Sequence, residues 1–266
     1  MGEDIVKRVA VLMYHALWSD ADDLRRIDPV DRPYALPLVE FTAQLDALRE
    51  HGIDVLDPAL LKDGAPSGGG VVLTFDDGHV SNARLALPEL RRRGMRATFF
   101  ITTQHVGRRA EYCSAEQLRE LAAAGMSVGA HGHTHRFLND LGDAELAGEV
   151  RASQEILRDS LGAAAREMSF PGGRFDRRCV DAAGDAGFEV LFGSAVGTLH
   201  AGAALPSGVL PRIAIRPGLA TPVFVDFASG AALRIARSRA ADAAKAVART
   251  VLGNERYHRL YGLLRS

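Results

Sequence analysis

The sequence predicts a parallel α/β fold, and three observations lead there. Short apolar runs recur along the chain, among them RVAVLMY at residues 8–14, VVLTF at 71–75 and ATFFI at 97–101, making about eight strand candidates. Strands of a parallel sheet are covered on both faces, so they read as continuous apolar runs rather than as alternation. Between them lie segments with apolar residues three and four apart, the spacing of a helix. This alternation of strand and helix is the pattern of a parallel α/β domain. Finally, the reactive side chains His15, Asp76, Asp77, His131 and His135 all fall just after strand candidates. A (β/α) barrel places its site at that rim. An open doubly wound sheet does the same, but no glycine-rich phosphate turn follows the first strand, so a dinucleotide site is not supported.

Taken in order, Arg8–Tyr14 reads as a buried strand ending at His15. Residues 19–37 are rich in Asp, Arg and Pro and read as a long surface loop. Loops of that length are usually functional or mobile. Residues 38–51 form a helix carrying Phe41, Leu45 and Leu48 on one face, stopped by Gly52. A short strand covers 53–56, and a loop punctuated by Gly68, Gly69 and Gly70 leads to the strand at 71–75. Leu85, Leu87 and Leu90 mark a helix that ends near Gly94. After the strand at 97–101, Ser114 is an N-cap with Gln117 as its capping-box partner. That helix runs to about Ala124. A strand at 126–130 leads into His131-Gly-His-Thr-His135. Asp143 caps a helix bearing Leu146, Val150, Leu157 and Leu161, closed by Gly162. A strand at 167–170 ends in Pro171-Gly172-Gly173. A helix follows at 177–186, then a strand at 189–192. The last strand, 209–215, contains Pro211 and Arg212.

The chain has 266 residues, 47% hydrophobic and 24% charged, with a net charge of −1. That composition is ordinary for a globular protein. The charge balance supplies no general attraction to nucleic acid. The two cysteines, Cys113 and Cys179, stand alone in their neighbourhoods and read as reduced, partly buried thiols. No run approaches the roughly 20 apolar residues of a membrane span, and the N-terminus lacks a convincing leader, with Glu3 and Asp4 ahead of a short apolar run. The expectation is a cytoplasmic protein, or a secreted one trimmed of its leader. Residues 231–266 carry eight Arg or Lys against two acids and read as a long helix broken near Gly253-Asn254. A short amphipathic helix with Tyr257, Leu260, Tyr261 and Leu264 follows. It packs on or beside the barrel, or contacts a membrane surface or partner.

The chemistry centres on two clusters. Asp76 and Asp77 stand at a strand end, where two buried anions need a cation beside them. Three of the nine histidines fall within residues 131–135. Neutral imidazole is the commonest metal ligand, and Gly132 favours a turn that converges His131 and His135. With Asp77 they make an Asp/His/His set suited to zinc or a similar divalent ion with open positions.

Thr74-Phe-Asp-Asp-Gly78, His131-xxx-His135 and Ser169-Phe-Pro-Gly-Gly173, in this order, resemble the polysaccharide deacetylases with a NodB-homology domain, carbohydrate esterase family four. The resemblance spans residues 9–215. It implies a deformed (β/α) barrel of about seven to eight strands over residues 1–220, with 221–266 as a C-terminal helical extension. It also implies divalent-metal removal of N-acetyl groups from amino sugars. Carried over, Asp76 is the catalytic base. Asp77, His131 and His135 hold the metal, expected to be Zn2+, with Co2+ or Ni2+ as alternatives. His133 falls between the ligands and is read as structural or supporting.

Two departures stand out. Many members carry arginine where this chain has Ser169, which leaves Arg174 or Arg212 to support the base. The late leucine-x-histidine motif is absent after Gly193. In the branch with an N-terminal Tyr-His, here Tyr14-His15, that histidine takes the acid's place, so His15 is the expected acid. Pro171, Gly172 and Gly173 are expected to line an oxyanion site. The expected partner is an N-acetylated amino sugar. The alternatives are deformylation or other amide hydrolysis on a lipid-linked or small sugar, and a carbohydrate-binding or assembly factor with a weakened site.

Overall fold

The computed structural model describes residues 7–203 and 208–241. In chain order, β1 (Arg8–Tyr14) and β2 (Leu17–Trp18) precede α1 (Ala21–Arg26), β3 (Leu36–Pro37) and α2 (Leu38–Glu50). Then come β4 (Gly70–Phe75), α3 (Leu87–Arg92), β5 (Ala97–Ile101), α4 (Ala115–Ala123), β6 (Ser127–Ala130) and α5 (Asp143–Leu161). The chain continues through β7 (Glu167–Ser169), α6 (Arg177–Asp185), β8 (Val190–Phe192), β9 (Thr198–His200), β10 (Val209–Leu210), β11 (Ile213–Ala214) and α7 (Thr221–Ala228).

Eight strands lie in the order β10-β8-β7-β6-β5-β4-β1-β11, with every neighbouring pair parallel. β9 runs antiparallel to β1. The sheet curls into a deformed (β/α) barrel, and its seam is covalent. β10 and β11 lie at opposite ends of the strand order, yet only Pro211 and Arg212 separate them in sequence. Three peptide steps reach roughly 11 Å at most, so the two edges must approach each other. Arg212 sits in that seam.

Period-2 alternation then divides the core. Val9, Val11, Val72, Phe100, Val190, Phe192 and Leu210 form one buried cluster, the filling of the curled sheet. Ala10, Leu12, Leu73, Phe75, Phe99 and Met168 face the helices, where they join Phe41 and Leu45 of α2 and Val150 and Leu157 of α5. Thr74 and Asp76 continue the inward side of β4, and Ser169 the inward side of β7. The strand parity therefore aims Asp76 and Ser169 into the barrel.

Several local expectations change. The stretch 209–215 is two short strands on opposite edges rather than one, because Pro211 has no N–H to give a ladder. The stretch 19–37 is organised rather than a plain surface loop. It holds α1, capped by the Asp20 side chain, a 3-10 turn at Arg32–Tyr34, and the parallel pair β2–β3, with Ile27 and Leu36 buried. Residues 53–56 make only a single bridge, Val55 with Val71. The helix after β4 opens with a π turn at Asn82–Ala86, in which Leu87 N–H reaches Asn82 C=O. Pro88 lies one residue on and has no N–H for an α-helical bond to Arg84, so the ladder is interrupted there. Asp143 is the first residue of α5 rather than its cap, a position where a carboxylate meets the helix dipole.

Ser114 and Gln117 do form a capping box. Cys113 and Cys179 are free and buried. At the C-terminus, α7 buries Phe224 and packs on α2 and β1. A further helix spans 232–241, and Ile235 is buried. The expected helices beyond residue 241, with Tyr257 to Leu264, lie outside the described residues. Among the described residues no helix is long and apolar enough to cross a membrane.

Candidate active site

The two aspartates part company because the backbone changes hand between them. Asp76 still belongs to the sheet, its N–H donating to Tyr14 C=O at 2.9 Å. Asp77 has φ 73° and Gly78 φ 78°. A left-handed aspartate is uncommon, and it turns the Asp77 carboxylate out of the barrel toward the rim. Glycine is required next, since a Cβ at 78 would stand 3.0 Å from Ile101 Cδ1.

Asp76 is buried and meets Arg212 in a two-pronged pair, with Nη1 to Oδ1 and Nη2 to Oδ2 both at 2.7 Å. Arg212 is 0% exposed and all three of its nitrogens are used. Nε donates to Gly193 C=O at 2.7 Å, Nη1 to Thr74 Oγ1 at 3.2 Å and Nη2 to Ser169 Oγ at 2.6 Å. Its guanidinium also lies 5.5 Å from the Phe100 ring centre. Burial alone would raise the Asp76 pKa, but Arg212 and then His131 outweigh it and hold the carboxyl below its usual range. Ser169 therefore takes part in the pair, and the structure brings Arg212, not Arg174, to Asp76. Arg174 is on the surface, 3.5 Å from Asp140 and over the Phe137 ring.

His131 and His135 come from the turn after β6. Asp77 Oδ1 lies 3.4 Å from His131 Nε2 and 3.2 Å from His135 Nε2. One donor atom from each of the three residues falls within 4.8 Å of the others. His131 Nδ1–H donates to Ser169 C=O at 2.9 Å, which leaves the Nε2 lone pair facing Asp77. That is the tautomer a metal ligand needs. Burial pushes the His131 pKa down and keeps the ring neutral. Burial also opposes charge on His135, but the Asp77 carboxylate outweighs it and lifts that pKa. The same contacts outweigh the burial of Asp77 and hold its carboxyl low. His135, like Asp77, is left-handed, at φ 63°. These residues fit a divalent ion: one carboxylate, two imidazoles and a shared focus.

His133 points elsewhere, with Nδ1 3.0 Å from Thr103 Oγ1. The turn itself is held by Glu149 of α5. Its Oε2 accepts from His133 N–H at 3.1 Å and Thr134 N–H at 2.8 Å, and its Oε1 from the Thr134 hydroxyl at 2.7 Å. Sequence reasoning missed Glu149. The readable signal was an acid on the buried stripe of Leu146, Val150 and Leu157.

His15 lines a cleft with Asp31, Asp77, His79 and Tyr112. Its ring lies 5.1 Å from that of Tyr34, and its C=O accepts from Asn82 Nδ2 at 3.0 Å. Asp31 and Tyr34 come from the stretch expected to be a loop, so that stretch walls the site. Burial, then Asp77 and Asp28, raise the Asp31 pKa. Burial holds His79 down at about 4. On the other side, Pro171 packs toward Gly132, whose Cβ would stand 3.3 Å from Pro171 Cγ. Gly172 and Gly173 are both left-handed and turn the chain beside the triad.

Residues 63–191 match the polysaccharide deacetylase family model. The Bacillus subtilis (strain 168) protein YxkH, whose name places it among polysaccharide deacetylases, is 29% identical over 224 residues, 82% of this chain and 75% of that one. A chitin deacetylase of Colletotrichum lindemuthianum is 29% identical over 123 residues, 46% of this chain and 50% of its own length. The solved structure of IcaB from Ammonifex degensii superposes with a TM-score of 0.70 at 25% identity, covering 84% of this chain and 96% of that one. The barrel, the motif residues gathered at its rim and these relationships together show that residues 63–191 belong to a polysaccharide deacetylase domain of the NodB-homology type.

Proposed function

We propose that the protein hydrolyses the N-acetyl amide of an amino sugar within a polysaccharide or glycoconjugate, using a divalent metal held by Asp77, His131 and His135. The observation that carries this reading is the side-by-side placement of that triad and an ionised Asp76, whose Oδ2 lies 3.8 Å from His131 Nε2. A divalent ion at the triad supplies Lewis-acid polarisation of an acyl oxygen and lowers the pKa of a water toward about 7. Asp76, kept charged by Arg212, takes the proton of the attacking water. His15, across the cleft, donates a proton to the departing amine, the role it has in the Tyr-His branch. In the turn after Pro171, Gly173 N–H is held by Phe170 C=O and Arg174 N–H by Pro171 C=O, so Gly172 N–H is the one offered to the developing oxyanion. A donor of that kind is typically worth about 3 kcal/mol. The residues from Asp31 to Tyr34 wall the sugar groove. Zinc suits the ligand set, and cobalt or nickel suit it too.

The test is acetate release from N-acetylglucosamine oligomers by metal-loaded protein, followed with the Asp76→Asn and His15→Ala variants. Asp76→Asn should keep the metal and lose turnover; retained turnover removes Asp76 as the base. Unaltered turnover in His15→Ala removes His15 as the acid. Bound metal with no release from acetylated or formylated sugars favours the carbohydrate-binding reading instead.

A further inference from the structure

The two histidines of the triad are anchored in different ways. The His131 side chain is 2% exposed, and its Nδ1–H is fixed on Ser169 C=O at 2.9 Å. A ligating histidine ordinarily gives its second N–H to such a partner, which sets the plane of the ring. The His135 side chain is 43% exposed. Its Nε2 meets Asp77, and among the described residues no group pairs with its Nδ1. Its left-handed backbone is a conformation that residues with a side chain disfavour. His135 therefore takes its aim from the backbone beside it. On one side Arg136 is exposed and pairs with Glu145 on the surface.

On the other side every polar group of Thr134 is taken. Glu149 accepts from its N–H and from its hydroxyl. Its C=O accepts from Gln104 Nε2 at 3.2 Å. Gln104 belongs to the turn after β5, outside the motif clusters. The same amide nitrogen lies 3.4 Å from His105 Nε2, and the Gln104 backbone N–H donates to His133 C=O at 3.0 Å. Thr103 N–H reaches Gly132 C=O and Thr102 N–H reaches Asp77 C=O, both at 3.3 Å. The turn after β5 thus ties the Asp77 segment to the histidine turn. Among the described residues Gln104 supplies its one side chain bonded to the residue directly before His135.

We propose that Gln104 is the positioning residue for His135: its amide fixes the Thr134 carbonyl, and with it the left-handed turn that brings the His135 ring to the focus shared with Asp77 and His131. The inference rests on the metal reading of that triad. Gln104 touches none of the three side chains and acts through one peptide group. A carboxamide suits the task because it offers two N–H donors and carries no charge. Glutamate at 104 would turn an acceptor toward the Thr134 carbonyl. Methionine would keep the length and supply no donor.

The test measures Zn2+ affinity of the full chain by competition with a chelator, beside the visible spectrum of the Co2+-loaded protein. Gln104→Met and Gln104→Glu should each weaken Zn2+ binding by about tenfold or more, the loss that follows removal of a ligand's outer partner. Both should also shift the Co2+ absorption bands, which report ligand geometry. A merely structural role predicts a lower melting temperature of the metal-free protein with affinity and spectrum unchanged, and that result overturns the proposal. If one variant does not fold, the other carries the same comparison. A parent that binds Zn2+ with variants that bind it equally well overturns the Gln104 assignment alone. A parent that binds no Zn2+ overturns the metal reading and this inference with it. Neither readout depends on turnover, so the deacetylase reading is judged separately, from acetate release.

Discussion

Asp76 and Asp77 are neighbours in sequence, yet they occupy two different regions of the molecule. Asp76 lies inside the barrel, in regular strand backbone, and its charge is met by one fixed internal cation that spans the seam. Asp77 lies on the rim, in left-handed backbone, and faces two imidazoles that carry a full positive charge only when protonated. The first carboxylate is neutralised by the fold itself. The second is arranged for an ion the fold does not supply. A single change of backbone hand between two residues therefore separates a carboxylate paired inside the fold from one that shares a focus with two imidazoles.

The largest way to break this contrast is to remove the internal cation. Arg212→Met leaves Asp76 buried and unpaired and should cost about 3–5 kcal/mol in denaturant unfolding. Arg212→Lys should recover only part, because an ammonium cannot form the two-pronged pair. A loss below about 1 kcal/mol in Arg212→Met would show that the pair is not what holds the seam.

On the rim the expected effect falls on metal rather than on stability. Asp77→Asn should weaken metal binding, measured by competition with a chelator, by more than the roughly 10–100-fold that outer-shell changes cost. Its effect on metal-free unfolding should be much smaller than that of Arg212→Met. Glu149→Ala tests the support of the turn. It frees two backbone N–H groups, so it should lower metal affinity by about 10–100-fold and cost about 1–3 kcal/mol. Unchanged affinity would reduce Glu149 to a purely structural residue.

The two carboxylates also predict opposite pH behaviour. The Asp76 pKa is lowered in the folded chain, so its stabilisation is present above the unfolded value of about 3.9 and is lost as pH falls below it. The His135 pKa is raised, so in metal-free protein its contribution is present below about 6.5 and fades as pH rises through the folded value. A metal competes with that proton, and its affinity should therefore climb over the same interval. A metal affinity that is flat from pH 6 to 8 contradicts this assignment. The smallest expected effect is Gly132→Ala. It forces a side chain into left-handed backbone near Pro171 and should cost about 1–2 kcal/mol, seen as a modest fall in melting temperature.

Much of this was legible along the chain. Apolar runs marked β1, β4 and β5, helical spacing marked α2 and α5, the Ser114–Gln117 capping box marked α4, and the two motif clusters marked the rim. These are local signals, carried by neighbours within a few residues. Glu149 was overlooked because one acid on an apolar stripe looks the same whether it clamps a turn or faces water. The stretch 19–37 reads as a loop because its polar composition conceals Ile27 and Leu36, the buried anchors that tie it to the site.

The sequence by itself determined the strand parity that turns Asp76 inward, the glycine after Asp77 that permits the change of hand, and the histidines that follow β6. Only the tertiary structure decided which cation meets Asp76. Ser169 and Arg212 are 43 positions apart, and Asp76 and Arg212 are 136 apart. They meet because the two edges of a curled sheet are joined through Pro211 and Arg212. No periodicity records that closure, since it follows from how eight strands curl rather than from what any one of them contains.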